Sequence, residues 1–238
     1  MQNITDKSRP FISYLSVLLL LIVSGCSSVP APAPDSTAAA LPSEQPGAEA
    51  GQGSAYHLAH NAYQMSKLPF SEKQQAAFRE ALATFEQGEA AEAERILMQL
   101  TSDSELPSAV WVLRGDIAAS QGEHSRAETH YQAALEKNPN NYFALNRLGT
   151  YARERGEFGQ AKALYLRAIN AWMGFAPAHY NLGILYDLYT GNKADALNEY
   201  RVFLTLAEAD GKPQRMKQVT RWVTDLERQL AADERGTQ

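Results

Sequence analysis

The sequence predicts an all-α fold of stacked helical hairpins, about four of them, and three observations carry that prediction. Small residues recur every 34 positions: Gly88, Gly122 and Gly156; Ala93, Ala127 and Ala161; Gly115, Gly149 and Gly183. Bulky residues keep the same interval at Leu97, Tyr131 and Tyr165. Apolar residues Met216, Val219, Trp222, Val223, Leu226 and Leu230 follow at helical spacing, the pattern of one more amphipathic helix. A fixed period of this length marks a repeat architecture in which no unit buries its apolar face alone.

Each repeat reads as a helix A, a tight turn at a glycine, and a helix B. Small residues at Ala81, Gly115, Gly149 and Gly183 let helix A approach its neighbour, and Leu97, Tyr131, Tyr165 and Tyr200 fill the space between. A fourth copy continues through Gly191, Ala196 and Tyr200, each one residue late, which places a single-residue insertion near Tyr189-Thr190. Pro139 ends a helix B, because proline cannot continue the hydrogen-bond ladder, and Asn140 or Asn141 can cap the next helix. The first copy is degenerate: the aromatic of its helix A is missing, and Phe78 and Phe85 are expected to repack the gap.

An exposed apolar side on the last repeat needs a cap. Residues 212–232 are assigned that role, since Trp222 is too large to leave in water; a partner-binding or dimer helix is the competing reading, so a homodimer stays open. Residues 233–238 are expected to be a disordered tail.

The N-terminal end follows other rules. Lys7 and Arg9 precede an apolar run, Phe11 to Val23. That run is shorter than the ~20 residues a helix needs to span a bilayer, and small residues follow it, as in a secretory signal over residues 1–25. Residues 26–66, rich in Pro, Ala, Ser and Gly as far as about Ser54, hold too little large apolar surface to offset ordering, which predicts a disordered tether. The low-complexity stretch of about 28 residues spans roughly 30 Å on average and about 95 Å when taut. A short helix is expected within Tyr56–Met65.

Charge and chemistry narrow the function. The chain has net charge −5, and with Lys7, Arg9 and Asp6 set aside in the first 26 residues the remainder carries −6. An acidic body argues against nucleic acid and against broad docking on anionic lipid. There is no phosphate loop and no Gly-x-Ser-x-Gly elbow, and the single cysteine, Cys26, can form no internal disulfide. His57-x-x-His60 lacks a third ligand and reads as a solvated pair rather than a metal site. His124 and His130 flank a repeat turn and read as surface, whereas His179 stands where helix A carries a packed residue. Arg153 and Glu154 are adjacent, so they point apart on a helix. No cofactor or metal is expected, and an unrecognised cell-wall enzyme is the weaker alternative.

Two resemblances add to this reading. Trp111, Gly115, Gly122, Ala127, Tyr131, Ala134 and Pro139 in one copy, and Leu148, Gly149, Gly156, Ala161, Tyr165 and Ala168 in the next, resemble the tetratricopeptide repeat (TPR). In the fourth copy Phe203 stands where the family has a small alanine. The resemblance implies a TPR superhelix over residues 67–211 and a concave groove lined by helix A. The groove residues it implies are Val112, Asp116, Phe143, Asn146, Thr150, Arg153, Tyr180, Ile184 and Asp187, with Ala119, Glu154 and Leu188 beside them. For each of them packing between repeats is the competing role. Such a groove suits an extended or helical peptide segment of a protein partner. Second, Val23-Ser24-Gly25-Cys26 is similar to the lipobox of bacterial lipoproteins, which implies a lipid-bearing Cys26. Two or more acyl chains anchor a protein stably. Ser27, rather than aspartate, implies the periplasmic face of the outer membrane. TPR lipoproteins of this kind include pilotin-like proteins of type IV pilus/secretin systems, adaptors for peptidoglycan hydrolases and accessories of TonB-type transport complexes.

Overall fold

The computed structural model describes residues 60–67, 69–100, 105–209 and 213–236, which all lie within the unit 46–238. The signal segment, Cys26, His57 and the tether as far as residue 59 lie outside them. The elements are α1 (Ala62–Ser66), α2 (Glu72–Glu86), α3 (Ala90–Met98), α4 (Ser108–Ser120), α5 (His124–Lys137), α6 (Tyr142–Glu154), α7 (Phe158–Ala171), α8 (Ala176–Ile184), α9 (Lys193–Ala209) and α10 (Pro213–Gly236). Helices α2/α3, α4/α5, α6/α7 and α8/α9 are the four expected hairpins, each packed on the next, and α10 packs on α9. Among the described residues the structure is helical apart from turns and one isolated bridge.

The glycine turns explain the period. Gly88, Gly122 and Gly156 take φ of 89°, 76° and 79°, a left-handed conformation that ends each helix A. The next residue's amide then reaches back five residues: Glu89 to the Thr84 carbonyl (3.1 Å), Glu123 to Ala118 (2.9 Å) and Glu157 to Ala152 (2.9 Å). This satisfies carbonyls that a helix end leaves without partners.

The fourth repeat shows what the inserted residue does. Residues Leu185–Thr190 continue α8 as a π-helix, ending at Gly191 with φ 67°. The closing bond, from the Asn192 amide to the Tyr186 carbonyl at 2.8 Å, spans six residues instead of five. The extra residue is absorbed as a wider turn, so α9 keeps its packing register.

Within each hairpin a tyrosine ring fills the space that a glycine vacates. A Cβ added at Gly115 would sit 2.4 Å from the Tyr131 ring, at Gly149 2.6 Å from Tyr165, and at Gly183 2.6 Å from Tyr200. All three tyrosines are fully buried. Repeat one fills the corresponding positions with Ala81 and Leu97, both also fully buried.

Helix starts are capped from the sequence as well. Asn141 is the cap of α6: its Oδ1 accepts from the Ala144 amide at 3.2 Å, while its Nδ2 donates to Ser108 Oγ at 3.1 Å. Ser71 and Gln74 form a reciprocal capping box on α2, and Gln74 also donates to the Glu105 carbonyl at 3.1 Å.

The core has two parts. Repeats two to four and α10 share one cluster; Ala81, Ile96, Leu97, Leu100, Leu106 and Val110 anchor the other around repeat one, and Trp111 packs against both. Phe78 and Phe85 do line this second cluster, with Phe70 5.1 Å from Phe78. The joint is also polar: Glu94 of α3 accepts from Arg114 and Arg126, each at 2.8 Å, and Arg114 lies over the Trp111 ring. At the far end Val219, Val223 and Leu226 are buried, and Trp222 stacks on Tyr180 (centroids 6.1 Å, planes 21° apart) and lies 5.4 Å from Tyr200. The capping role of this helix holds. It runs to Gly236, four residues past the expected end at 232, so most of the expected tail is helical.

His130 departs from its sequence reading. It is 9% exposed, not a surface residue, and its ring lies 5.8 Å from Trp111. The period explains this, because His130 precedes Tyr131 on the packed side of α5. Burial, then the neighbouring Arg114 and Arg126 cations, push the imidazole below its ordinary 6.5, against the opposing pull of Glu94 and Glu123. An unfolded chain therefore takes up a proton near the ordinary value while the folded ring stays neutral. The stability from this site is present above that value and lost as pH falls below it. Thermal melting followed by circular dichroism should show a midpoint that drops between pH 7.5 and 5.5. His130→Phe should make the drop shallower; an identical drop in the variant would contradict the assignment.

Candidate functional site

The nine side chains expected to line the groove divide into two sets. The first set is structural. Val112 is 9% exposed and Asn146 is 1% exposed, so burial closes both to a partner. Asn146 Oδ1 accepts from Asn181 Nδ2 at 2.9 Å, a tie between neighbouring A helices. Asp116 accepts from the Tyr131 hydroxyl at 2.7 Å and from Arg147 Nε at 2.8 Å. Thr150 accepts from the Tyr165 hydroxyl at 3.4 Å and donates to the Asn146 carbonyl at 3.2 Å. Asp187 accepts from the Tyr200 hydroxyl at 3.4 Å.

These acceptors form a ladder with a physical cause. A tyrosine that fills the space beside a glycine carries its hydroxyl through to helix A, where a buried O–H needs a partner. Burial pushes the Tyr131 and Tyr200 hydroxyls well up, and the Asp116 and Asp187 carboxylates add to it. In repeat four the position that follows the period is Ile184, which cannot accept, so the π-helical turn brings Asp187 instead. Burial raises the Asp187 carboxyl above its ordinary value, opposed by the Tyr200 hydrogen bond.

The second set remains open. Phe143 is 41% exposed, and Arg153 lies over the Tyr189 ring with its guanidinium carbon 5.7 Å from the centroid. Arg153 Nε is buried without a hydrogen-bond partner among the described residues. Tyr180 and Ile184 are half-buried; Tyr180 is taken up by Phe203 (5.2 Å) and Trp222, so it belongs largely to the cap. Leu188 is 67% and Tyr189 45% exposed, and the Tyr189 ring lies 5.2 Å from Phe158. Ala119 is half-buried and Glu154 is exposed. The π-helix therefore ends in two outward apolar side chains beside an arginine, a patch that periodicity alone did not include in full: Tyr189 and Phe158 were missed.

His179 is packed as expected, at 5% exposed, with Nδ1 2.7 Å from Glu199 Oε2 and Nε2 3.1 Å from the Met173 carbonyl oxygen. His124 is exposed against Tyr151, and His60 is exposed. Among the described residues no three His, Cys, Asp or Glu side chains gather as metal ligands, and no helix is long and apolar enough to cross a membrane.

The short helix expected within Tyr56–Met65 is α1, Ala62–Ser66, so residues 62–66 are helical and not part of a disordered tether; the packing of Tyr63 was not foreseen. Tyr63 is 5% exposed, although its neighbours Gln64 and Met65 are exposed, and it meets Tyr142 and Phe143 edge-on at 5.4 and 6.3 Å. Asn61 pairs with Trp172 through an antiparallel bridge and caps α1 by accepting from the Gln64 amide at 2.9 Å. The segment 61–65 thus crosses from the start of repeat one to the entrance of repeats three and four. Tyr63 is the one buried side chain of this segment.

Stacked A/B hairpins, glycine turns at a fixed interval and a terminal cap define an α-helical repeat protein of the TPR type. The sequence family described as the TT21 fifth ARM repeats domain matches residues 108–208, that is, repeats two to four. Among solved structures, a tetratricopeptide repeat protein from Parabacteroides merdae superposes with a TM-score of 0.51 at 20% identity, covering 69% of this chain and 64% of that one. A mutant of MamA superposes with a TM-score of 0.50 at 17% identity, covering 69% of this chain and 87% of that one. No curated protein matches the sequence. These likenesses establish the fold.

Proposed function

We propose that this protein is a lipid-anchored adaptor that holds polypeptide segments of envelope proteins against its A helices. The observation that carries the reading is the outward patch at the end of α8: Leu188 and Tyr189 are adjacent, both exposed, and lie beside Arg153. Aromatic and arginine side chains next to an apolar anchor have the composition of interface hot spots. A partner segment with an apolar side chain and an acidic neighbour fits the patch.

The anchor rests on Val23-Ser24-Gly25-Cys26 and the stretch of small and polar residues after it. Lipid on Cys26 would place the repeats at the periplasmic face of the outer membrane, within reach of the tether. The machine we favour is a type IV pilus/secretin assembly, by likeness of layout to pilotin-like TPR lipoproteins.

Two variants separate the two halves of the proposal. Cys26→Ala should move the protein from the membrane to the soluble fraction, or stall it as precursor; unchanged fractionation contradicts the anchor. Leu188→Asp, with Cys26 kept, should stay in the membrane and melt as the parent does. It should also lose at least tenfold of the partner recovered by crosslinked capture. Full capture by the aspartate variant contradicts the patch.

A further inference from the structure

We infer that the aromatic nest formed by Tyr142, Phe143, Trp172 and Phe175 is a second peptide-binding surface, and that Asn61–Met65 is its resident, displaceable occupant. This inference rests neither on the lipid anchor nor on the α8 patch.

The nest is built without the strap. Tyr142 and Phe143 open α6, and Trp172 and Phe175 occupy the turn that leads into α8. Tyr142 lies 4.6 Å from Phe175 and 5.2 Å from Trp172, and Phe143 lies 5.2 Å from Phe175. The repeat frame holds both ends, because Asn141 caps α6 and ties it to Ser108. With the strap removed, the faces of Tyr142 and Phe143 that now meet Tyr63 would face water.

The strap behaves as a ligand would. It inserts one side chain, Tyr63, which meets two nest rings edge-on. Two residues earlier the Asn61 backbone bridges to Trp172, and the Asn61 side chain caps α1. Asn138 Nδ2 reaches the Tyr63 carbonyl at 3.5 Å. The recognition pattern is therefore a tyrosine inserted edge-on, with backbone pairing two residues before it. Beyond these contacts little holds the strap: α1 is a five-residue helix, and Met65 is 74% exposed. Helices this short are marginal without packing. A partner segment of the same chemistry, an extended stretch that pairs its backbone and inserts a tyrosine two residues later, would compete for the same rings.

The probe is a fluorescein-labelled peptide with the sequence of residues 59–67, titrated into the full chain and followed by anisotropy. Tyr63→Ala should bind it at least tenfold more tightly than the parent, because the internal competitor is weakened. Adding Tyr142→Ala to that variant, or replacing the peptide's tyrosine by serine, should abolish binding. Leu188→Asp should leave this binding unchanged, which keeps the test separate from that of the α8 patch. Equal binding to parent and Tyr63→Ala, or undiminished binding of the serine peptide, would overturn the inference. Hydrogen exchange on the unmodified protein gives an independent reading. The Gln64 and Met65 amides should exchange at least a hundredfold faster than those of Leu145 and Leu148; exchange only together with α6 would overturn a displaceable strap.

Discussion

Gly149→Ala is expected to destabilise the array by about 2 kcal/mol, against the sign of helix propensity, which favours alanine over glycine by about 0.5–1 kcal/mol. Gly149 lies inside α6, and a Cβ there meets the Tyr165 ring at 2.6 Å and 2.8 Å. The ring cannot retreat, because Tyr165 is fully buried and its hydroxyl bonds Thr150. Tyr165→Leu alone should also destabilise, through the cavity it opens, by about 2–4 kcal/mol. Combined, the two should recover much of the loss, since repeat one already pairs Ala81 with Leu97 at the same positions. Urea denaturation of the four members of this cycle should therefore show a coupling of about 2 kcal/mol in the rescuing direction. Additive losses would mean that glycine and tyrosine are not interlocked.

Trp222→Glu should cost about 3 kcal/mol or more, because it removes a large ring from between Tyr180 and Tyr200 and places a carboxylate there. In a repeat array each unit leans on its neighbours, so the damage should begin in repeat four. Hydrogen exchange should rise first in α8 to α10, with α4 to α7 following later. Light scattering decides between a cap and a dimer helix. A cap predicts one mass for parent and variant, with a less stable variant. A smaller mass with unchanged stability would identify α10 as an interface between copies.

Much of the fold was legible because its rules are local. The interval between glycines fixes the turns, the tyrosines follow from the space beside Gly115, Gly149 and Gly183, and Asn141 sits where a cap is needed. The late register at Gly191, Ala196 and Tyr200 located the insertion, yet its form as a π-helical turn depends on α9 holding its packing while α8 lengthens. The groove was legible only in outline. Periodicity places Val112, Asn146, Asp116 and Thr150 on helix A, but it cannot say that Asn181 and Arg147 of the following repeats bond to two of them, or that tyrosine hydroxyls take two. His130 was misread for a related reason: polarity suggested water, whereas its place before Tyr131 turned it toward Trp111. Tyr63 lay beyond any repeat rule, since its contacts are roughly eighty residues away in sequence.

The π-helical end of α8 is the proposed contact for a second polypeptide. A photoreactive residue placed at Leu188, on the π-helical end of α8, and another at Arg167, exposed on α7, can be compared in native membranes by irradiation and gel analysis. A discrete adduct with another protein from position 188 and none from 167 is the predicted result. No adduct from 188, or the same adducts from both positions, would contradict the claim that this patch is where the protein holds its partner.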